Sequence, residues 1–409
     1  MRGRVRSAIA VLGGVAIAAV CLAGTAPAQA ASPTIVIWAD EAHAAVLNNL
    51  LAKGFKGAKV KVVTKDLAAI RDQVGKEPLA TAPDVIWGEQ QWSGDLAAEK
   101  TIVPVTLATA RAKLFPKNLM SGYGWFGKGY GLPVQYSNVA MITNVKLVPK
   151  QPTTFAELSS MVAKLQKSGK GKKGFAIGQG PDSDGFSLYP LFSGLGGFFF
   201  GKDPDGNWDP SVVGLSDPKF LKNSKQIDDW NAAGLFNSSM TKDDARKAFV
   251  NGKAPFWIAG PEEMATLKAL TFVYRITAVP TIISGIKPAP LLQVEGFNIT
   301  KYAHDHGVLG LSRKLVQRYL SAAGRQLALA GAAGLIPANT AAEKQVAERR
   351  LQAIAQAGVD GAPIPNILQT LAVWPEYGQA WVKSTAGDAA IKAKKAFSTA
   401  SGNISASIN

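Results

Sequence analysis

Short apolar runs alternate with amphipathic segments from residue 34 onward. Runs of about five apolar residues are typical of buried strands, and the segments between them place apolar residues at helical spacing. In order, the predicted strands and helices are Thr34–Trp38, Glu41–Phe55, Val60–Val63, Asp66–Val74 and Asp84–Trp87. Repeated strand–helix–strand units predict an α/β fold with a mainly parallel sheet covered by helices on both faces. Ligands of such sheets bind beyond the carboxyl ends of the strands, so residues 38–43 and 87–92 are expected at the mouth of a site.

The same pattern predicts a second lobe. The 409 residues exceed the length at which one hydrophobic core keeps growing, so two domains are expected. Two prolines near residue 150 precede a new helix at Thr154, and Pro280 marks a return to the first lobe. After that return we expect a strand at Leu291–Ile299 and one long helix at Arg313–Ala330.

The first thirty residues have the pattern of a secretory signal peptide. Three arginines within the first six residues precede an apolar run at 8–24, which ends near the small residues Ala28-Gln29-Ala30. We expect cleavage after Ala30, with an uncleaved membrane anchor as the alternative. The only cysteine, Cys21, lies in this leader, and a lipid attached to it is a further alternative. The mature chain then has no cysteine, and the protein is expected to be exported.

The chain is strongly basic, with a formal net charge of +16 from 45 basic and 29 acidic residues. The leader carries three of the basic residues and none of the acidic ones, so the mature chain keeps +13. Such a charge suits acidic partners in general. The lysines are nevertheless spread along the chain, and the densest cluster, 164–173, has no interleaved aromatic residues. We therefore expect the positive charge to be a general property of the protein surface, and we expect no nucleic-acid partner.

Motifs for catalysis and cofactors are missing from the sequence. The mature chain has three histidines, no cysteine and no Gly-x-Ser-x-Gly elbow for a nucleophile. Phosphate-loop and dinucleotide glycine patterns are missing too, so no cofactor is expected. His304 and His306 lack a third ligand at a usual spacing, so no metal site is expected. These observations favour a protein that is not an enzyme.

Several short motifs occur in order along nearly the whole mature chain. They are Thr-Ile-Val-Ile-Trp at 34–38, Ala-Pro-Asp-Val-Ile-Trp at 82–87, Gly-Leu-Pro-Val-Gln-Tyr at 131–136, Asp-Gly-Asn-Trp-Asp at 205–209, Ala-Phe-Val-Asn-Gly-Lys at 248–253, Gly260-Pro261, Val279-Pro280-Thr281 and Ile-Pro-Asn-Ile at 364–367 before Trp374. Taken together, they resemble the maltose-binding-protein group of extracellular solute-binding proteins that serve carbohydrate ABC importers.

This resemblance implies a two-lobed periplasmic-binding-protein fold of type II, in which each lobe is a mainly parallel sheet flanked by helices. Hinges would lie near 135–138, 276–279 and 336–339. The implied N-terminal lobe is 31–136 plus 279–336, and the implied C-terminal lobe is 137–278 plus 337–409.

The resemblance also implies a function. The protein would bind a sugar, either a monosaccharide or a malto-oligosaccharide-like chain, by closing its lobes. It would then deliver the sugar to the permease subunits of an ABC importer in the membrane, acting as a monomer in the periplasm or on the outer cell surface.

Positions that contact sugar in the family map onto the following candidate residues of this chain: His43, Gln91, Trp92, Ser137, Asp184, Phe186, Glu262 and Trp374. Some mapped positions depart from the family pattern. Ala42 and Gln91 replace acidic residues, while Gly88 and Glu262 replace tryptophans. The resemblance therefore implies a sugar site without implying maltose.

Each candidate also has a purely structural interpretation. Asp184 has the residue type and position of a helix N-cap, and Glu262 lies at a helix start where carboxylates are favourable. Trp92, Phe186 and Trp374 are open to core packing as well as to ligand stacking. Glu295, in a predicted strand before Gly296, is expected at an exposed edge, with a side chain that points into the cleft as the alternative.

Two rival functions remain open on the sequence alone. The same fold would suit a polyamine, a metal complex or an oligopeptide. Alternatively, Asp184 and Glu262 would be the paired carboxylates of a glycoside hydrolase, which requires them to face each other about 5 to 9.5 Å apart.

Overall fold

The computed structural model describes residues 32–171, 173–180 and 183–408. The predicted leader and Cys21 lie outside the described residues. In chain order the strands are β1 Thr34–Ala39, β2 Lys59–Thr64, β3 Val85–Glu89, β4 Ile102–Val103, β5 Gly124–Trp125, β6 Lys128–Gly129, β7 Gly131–Ser137, β8 Ala140–Asn144, β9 Phe175–Ala176, β10 Phe200–Lys202, β11 Trp208–Val213, β12 Phe256–Ala259, β13 Tyr274–Thr277, β14 Leu291–Thr300, β15 Ile336–Pro337 and β16 Ala362–Pro363.

The α-helices vary from a single turn to sixteen residues. In chain order they are α1 Glu41–Leu51, α2 Leu67–Gln73, α3 Ser93–Ala98, α4 Thr109–Ala112, α5 Lys117–Ser121, α6 Phe155–Lys167, α7 Gly185–Gly194, α8 Pro218–Asn223, α9 Lys225–Ala232, α10 Lys242–Val250, α11 Met264–Ala269, α12 Tyr302–Asp305, α13 Leu309–Lys314, α14 Ala323–Ala333, α15 Thr340–Glu343, α16 Arg349–Ala357, α17 Thr370–Ser384 and α18 Ala393–Ile408.

A large sheet has the strand order β15-β7-β14-β3-β1-β2, and β4 and β16 also pair with β14. Strands β1, β2 and β3 are parallel, as the strand–helix–strand pattern predicted. Strand β14 is antiparallel to both β3 and β7. The expectation of a mainly parallel sheet is therefore wrong for this half. Strand β14 enters the sheet from a long return segment instead of a helical crossover, and antiparallel pairing needs no such crossover.

A second, smaller sheet has the order β13-β8-β12-β9. Strand β8 is antiparallel to both of its neighbours, and only β9 and β12 run parallel. This sheet is also mixed, against the mainly parallel expectation. The large and the small sheet are joined directly where β7 leads into β8. The buried Asn138 lies in this two-residue crossing, and its Nδ2 donates to the carbonyl of Ile354 at 2.8 Å.

The small sheet has an aromatic core of its own. Phe192 packs against Tyr377 and Phe397 with ring centroids 5.0 and 5.8 Å apart, which fixes α7 against α17 and α18. Aromatic pairs at such distances add to the free energy gained from burial alone. The N-terminus of α7 is thereby held at a fixed place, and that helix end carries two candidate residues.

The long helix predicted at 313–330 is interrupted. Helix α13 passes into a π-helical segment at Leu315–Leu320, and α14 starts only after Ala322, whose ψ of 141° is extended. The side chain of Asn339 donates to the carbonyl of Ser321 at the break, at 3.0 Å. A hydrogen bond from a residue distant in sequence therefore stabilises the interruption of the helix, which the helical periodicity of the sequence could not predict. Across the described residues, no helix has the length and apolar character to span a bilayer.

Candidate functional site

Five polar side chains lie together on one face of the large sheet. In the strand register Glu295 of β14 lies opposite both Glu89 of β3 and Gln135 of β7, and Gln293 lies opposite Ser137. Directly opposed residues project to the same face, as do residues two apart on one strand. We call these five residues the polar ladder. It lies at the carboxyl ends of β3 and β7, and ligands of α/β sheets bind beyond the carboxyl ends of the strands.

Hydrogen bonds link the members of the polar ladder. The side-chain amides of Gln91 and Gln293 both donate to Glu89, the second at 3.3 Å. Gln135 Nε2 donates to Glu295 Oε2 at 2.9 Å. Burial raises the pKa of Glu295, and its opposed neighbour Glu89 also acts to raise it, whereas the nearby His43 acts to lower it. The ladder is therefore rich in carboxylate and amide acceptors.

His43 packs over the same face and is buried, although residues 38–43 were expected at the mouth of the site. Its ring stacks on Trp87 with centroids 3.8 Å apart. Nδ1 lies 2.5 Å from Asp40 Oδ2, and Nε2 lies 3.1 Å from Gln135 Oε1. Both ring nitrogens therefore have partners within the protein, which places His43 behind the polar ladder instead of among its exposed groups.

Trp92 is also mostly buried, with 7 % of its surface exposed. Its ring covers Gly88 so closely that a Cβ at position 88 would overlap Cζ3 of Trp92. The position therefore has room for no residue larger than glycine. Trp92 and Gln91 line a small groove together with Arg71, Asp95, Ile367, Leu368, Thr370 and Leu371.

A second group of candidates surrounds the N-terminus of α7. Asp184 caps this helix, accepting from Ser187 N at 3.1 Å and from Ser187 Oγ at 2.5 Å, so its predicted capping role is confirmed. Lys242 Nζ lies 3.9 Å from Asp184 and 3.4 Å from Glu262. The two predicted carboxylates thus share one cation, which was not predicted from the sequence.

Two aromatic candidates belong to the same group. Trp374, on α17, is half-buried and meets Phe199 edge-on with ring centroids 5.1 Å apart. A Cβ on Gly185, the residue after Asp184, would lie 3.3 Å from Cε3 of Trp374, so ring and cap are neighbours. Phe186 is half-buried against the aromatic core. Trp374 and Phe186 each combine a packed side with an exposed one.

The sequence profile of the family described as bacterial extracellular solute-binding protein matches residues 45–353, well over half of the chain. The chain belongs to this family. Its membership implies an exported protein, as expected from the leader.

Two relatives of this solute-binding protein are named for sugars. The maltodextrin-binding protein of Bacillus subtilis is 25 % identical over 327 residues, which cover 77 % of this chain and 76 % of the relative. The galactooligosaccharide-binding protein of the same organism is 24 % identical over 281 residues, covering 66 % and 65 %. A solved extracellular solute-binding protein of Staphylococcus aureus in complex with maltose superposes with a TM-score of 0.82 at 21 % identity, covering 92 % of this chain and 98 % of that one. This likeness confirms the two-lobed α/β fold.

The eight candidates of the solute-binding protein fall into two groups. His43, Gln91, Trp92 and Ser137 lie in or beside the polar ladder, and Asp184, Phe186, Glu262 and Trp374 lie around α7. Glu89, Gln293 and Lys242 were not among the residues predicted from the sequence. The favoured expectation of an exposed edge for Glu295 is wrong, since β14 is an inner strand paired on both sides. The one available signal was the two-residue spacing of Gln293 and Glu295.

The His304–His306 segment has a structural explanation. His306 Nδ1 lies 2.8 Å from the buried Asp84, and Nε2 lies 2.7 Å from the carbonyl of Leu79. His304 is exposed beside Asp305. Among the described residues, no three histidine, aspartate or glutamate side chains form a cluster able to hold a metal ion.

Proposed function

We propose that this solute-binding protein captures a sugar, either a monosaccharide or a malto-oligosaccharide-like chain, between its lobes and delivers it unchanged to the permease subunits of an ABC importer. The observation that carries the proposal is the polar ladder at the carboxyl ends of β3 and β7. Sugar hydroxyls are hydrogen-bond donors, and ionised carboxylates accept them in charge-assisted bonds that are stronger than neutral ones.

The group around α7 supplies the complementary surface. A pyranose presents its C–H faces to flat rings, and the half-buried Trp374 combines a supported ring with an open face. A ligand stabilises a closed state only if it binds that state better than the open one, so it must contact both lobes. Four of the five residues of the polar ladder lie in the proposed N-terminal lobe, and Trp374 lies in the proposed C-terminal lobe.

The lobes are proposed to be 31–136 plus 279–336 and 137–278 plus 337–409, moving about hinges at 135–138, 276–279 and 336–339. Hinge motion of this kind is absorbed by a few residues at element ends. We further propose that the protein acts as a monomer after loss of a leader, in the periplasm or on the outer cell surface. The names of the relatives support a sugar as the cargo.

The hydrolase alternative has less support. A glycoside hydrolase needs one carboxyl protonated as a general acid and the other ionised. Lys242 Nζ lies between Asp184 and Glu262, so the two carboxylates are held by one shared cation instead of facing each other across a free site. Asp184 is additionally engaged as the cap of α7.

A thermal-shift screen tests the proposal. The purified mature protein is mixed with maltodextrins, galactooligosaccharides and monosaccharides, and in parallel with polyamines and oligopeptides. A ligand at 100 times its Kd stabilises by about 2.7 kcal/mol, so a binding sugar is expected to raise Tm measurably. Stabilisation by a polyamine or a peptide alone would reject the sugar. Release of reducing sugar during incubation would instead establish the hydrolase.

A further inference from the structure

Two carboxylates of the polar ladder face each other across neighbouring strands. Glu89 and Glu295 are directly opposed in the β3–β14 register. Like charges directly opposite on a sheet destabilise it, and partial burial strengthens their repulsion. Each carboxylate receives amide donors, which carry no net charge. A positive charge is needed nearby if both groups are to stay ionised.

The hydrogen bonds around His43 identify that charge. Asp40 caps α1 by accepting from the backbone N–H groups of Ala42 and His43 at 3.1 and 3.2 Å, so it is an acceptor for Nδ1 of His43 as well. Gln135 donates through Nε2 to Glu295, which leaves Oε1, a pure acceptor, facing Nε2 of His43 at 3.1 Å. Both ring nitrogens face acceptors, and an imidazole that donates from both is the charged form.

We propose that His43 is a positioning residue, held as an imidazolium between Asp40 and Gln135, whose charge partly offsets the Glu89–Glu295 pair and keeps both carboxylates available to accept solute hydroxyls. This assignment rests on the proposed function for the role of the two acceptors. In this role His43 does not contact the ligand itself but supports Glu89 and Glu295, the carboxylates proposed to contact it.

Gln135 couples the ring to the carboxylate. If His43 loses its Nε2 proton, the Gln135 amide must turn over to donate to that nitrogen, and its Oε1 then faces Glu295. Two acceptors cannot bond unless Glu295 takes up a proton, and a protonated carboxyl is a weaker acceptor. The charged groups that act on His43 are Asp40 on its own helix, at 2.5 Å, and Glu295 on β14, beyond which lies Glu89 on β3. Strand β7 presents the neutral Gln135, and the face of the ring rests on the neutral Trp87.

The ring's protonation state is directly measurable. The protein has three histidines, so selective ¹⁵N-histidine labelling gives three resolvable rings, and the His43→Gln variant assigns the one of interest. In the sugar-free protein at pH 7 we expect both nitrogens of His43 to have the chemical shifts of protonated nitrogens. A neutral tautomer at pH 7 would overturn the proposal. Because no sugar is present, this outcome is independent of whether the proposed function is correct.

A double-mutant cycle tests the coupling. With a sugar identified by the thermal-shift screen, His43→Gln is expected to weaken binding by about tenfold or more in the wild-type background, because the carboxylate pair loses its counter-charge. In the Glu295→Gln background the same change should have little effect, since the opposed charge is gone. His304→Gln at the exposed histidine is the matched control and should leave Kd unchanged. Equal losses from His43→Gln in both backgrounds would overturn the coupling.

Discussion

Gly88 and Trp92 illustrate how single residues determine the shape of the candidate site. The Trp92 ring lies against the backbone of Gly88 and occupies the volume of any side chain there. The glycine is therefore required for packing, and φ at this position is not its reason, since Gly88 is not among the residues with positive φ.

The first prediction concerns this packing. Gly88→Ala is expected to lower the free energy of unfolding by about 1 to 3 kcal/mol, the usual cost of overpacking, because the Trp92 ring must move. Urea denaturation followed by circular dichroism measures it. Gly324→Ala, in α14, is the control, since a Cβ built at position 324 has no atom within 4 Å other than the adjacent backbone. If both variants are equally stable, the close packing of Trp92 on Gly88 is refuted.

At the scale of elements, α7 depends on a residue with two possible roles. Asp184 satisfies the first turn of the helix and is also a candidate ligand group. Capping requires a side-chain acceptor, whereas the charge-assisted bond to a hydroxyl requires a carboxylate. Substitutions can therefore separate the two roles.

The second prediction uses this separation. Asp184→Ala should cost about 1 kcal/mol of stability through the lost cap, while Asp184→Asn, itself a good cap, should stay close to wild type. If Asp184 binds the sugar, Asp184→Asn should still weaken binding. Calorimetric titration alongside thermal unfolding measures both quantities. If Asp184→Asn binds the sugar as tightly as the wild type, the only role of Asp184 is to cap α7.

The third prediction concerns the connection between α12 and the segment before β3. Burial lowers the pKa of His306, but its bonds to Asp84 and to the Leu79 carbonyl outweigh burial and raise the pKa above its ordinary value. Protonated His306 therefore stabilises the fold, and that stability is present below about pH 6.5 and is lost as pH rises through the folded-state pKa. The Tm difference between wild type and His306→Gln should be larger at pH 6 than at pH 8.5. The exposed His304→Gln should show no such trend, and a pH-independent difference would contradict the assignment.

The sequence predicted the elements with local signals and missed those determined by distant pairing. The β1–β3 units and the Asp184 cap follow from periodicity and residue type within a few positions. The inner location of Glu295 depends on β14 inserting between β3 and β7, and the burial of His43 depends on its contacts with Trp87 and Gln135 on two separate strands. Gln135 and Glu295 are 160 residues apart in the chain, so no local pattern specifies their contact.

At the scale of the whole molecule, the two sheets meet at the short crossing from β7 to β8. The proposed hinge motion would be absorbed by the few residues of this crossing. The buried hydrogen bond from Asn138 to Ile354 is the contact that fixes the crossing to α16.

The fourth prediction is that binding makes the molecule more compact. A sugar that raises Tm should reduce the radius of gyration measured by small-angle X-ray scattering, because it stabilises the closed arrangement. A sugar that leaves Tm unchanged serves as the control at equal concentration. Tight binding without any change in scattering would contradict lobe closure.

Strand β14 also has a consequence for the order in which the chain can fold. It pairs with β3, β4, β7 and β16, so a partial chain that stops before residue 291 leaves the edges of β3 and β7 open. Open edges invite pairing with other chains. The large sheet is therefore completed only once the chain has been synthesised beyond residue 300, so most of the polypeptide must be present before the polar ladder can form.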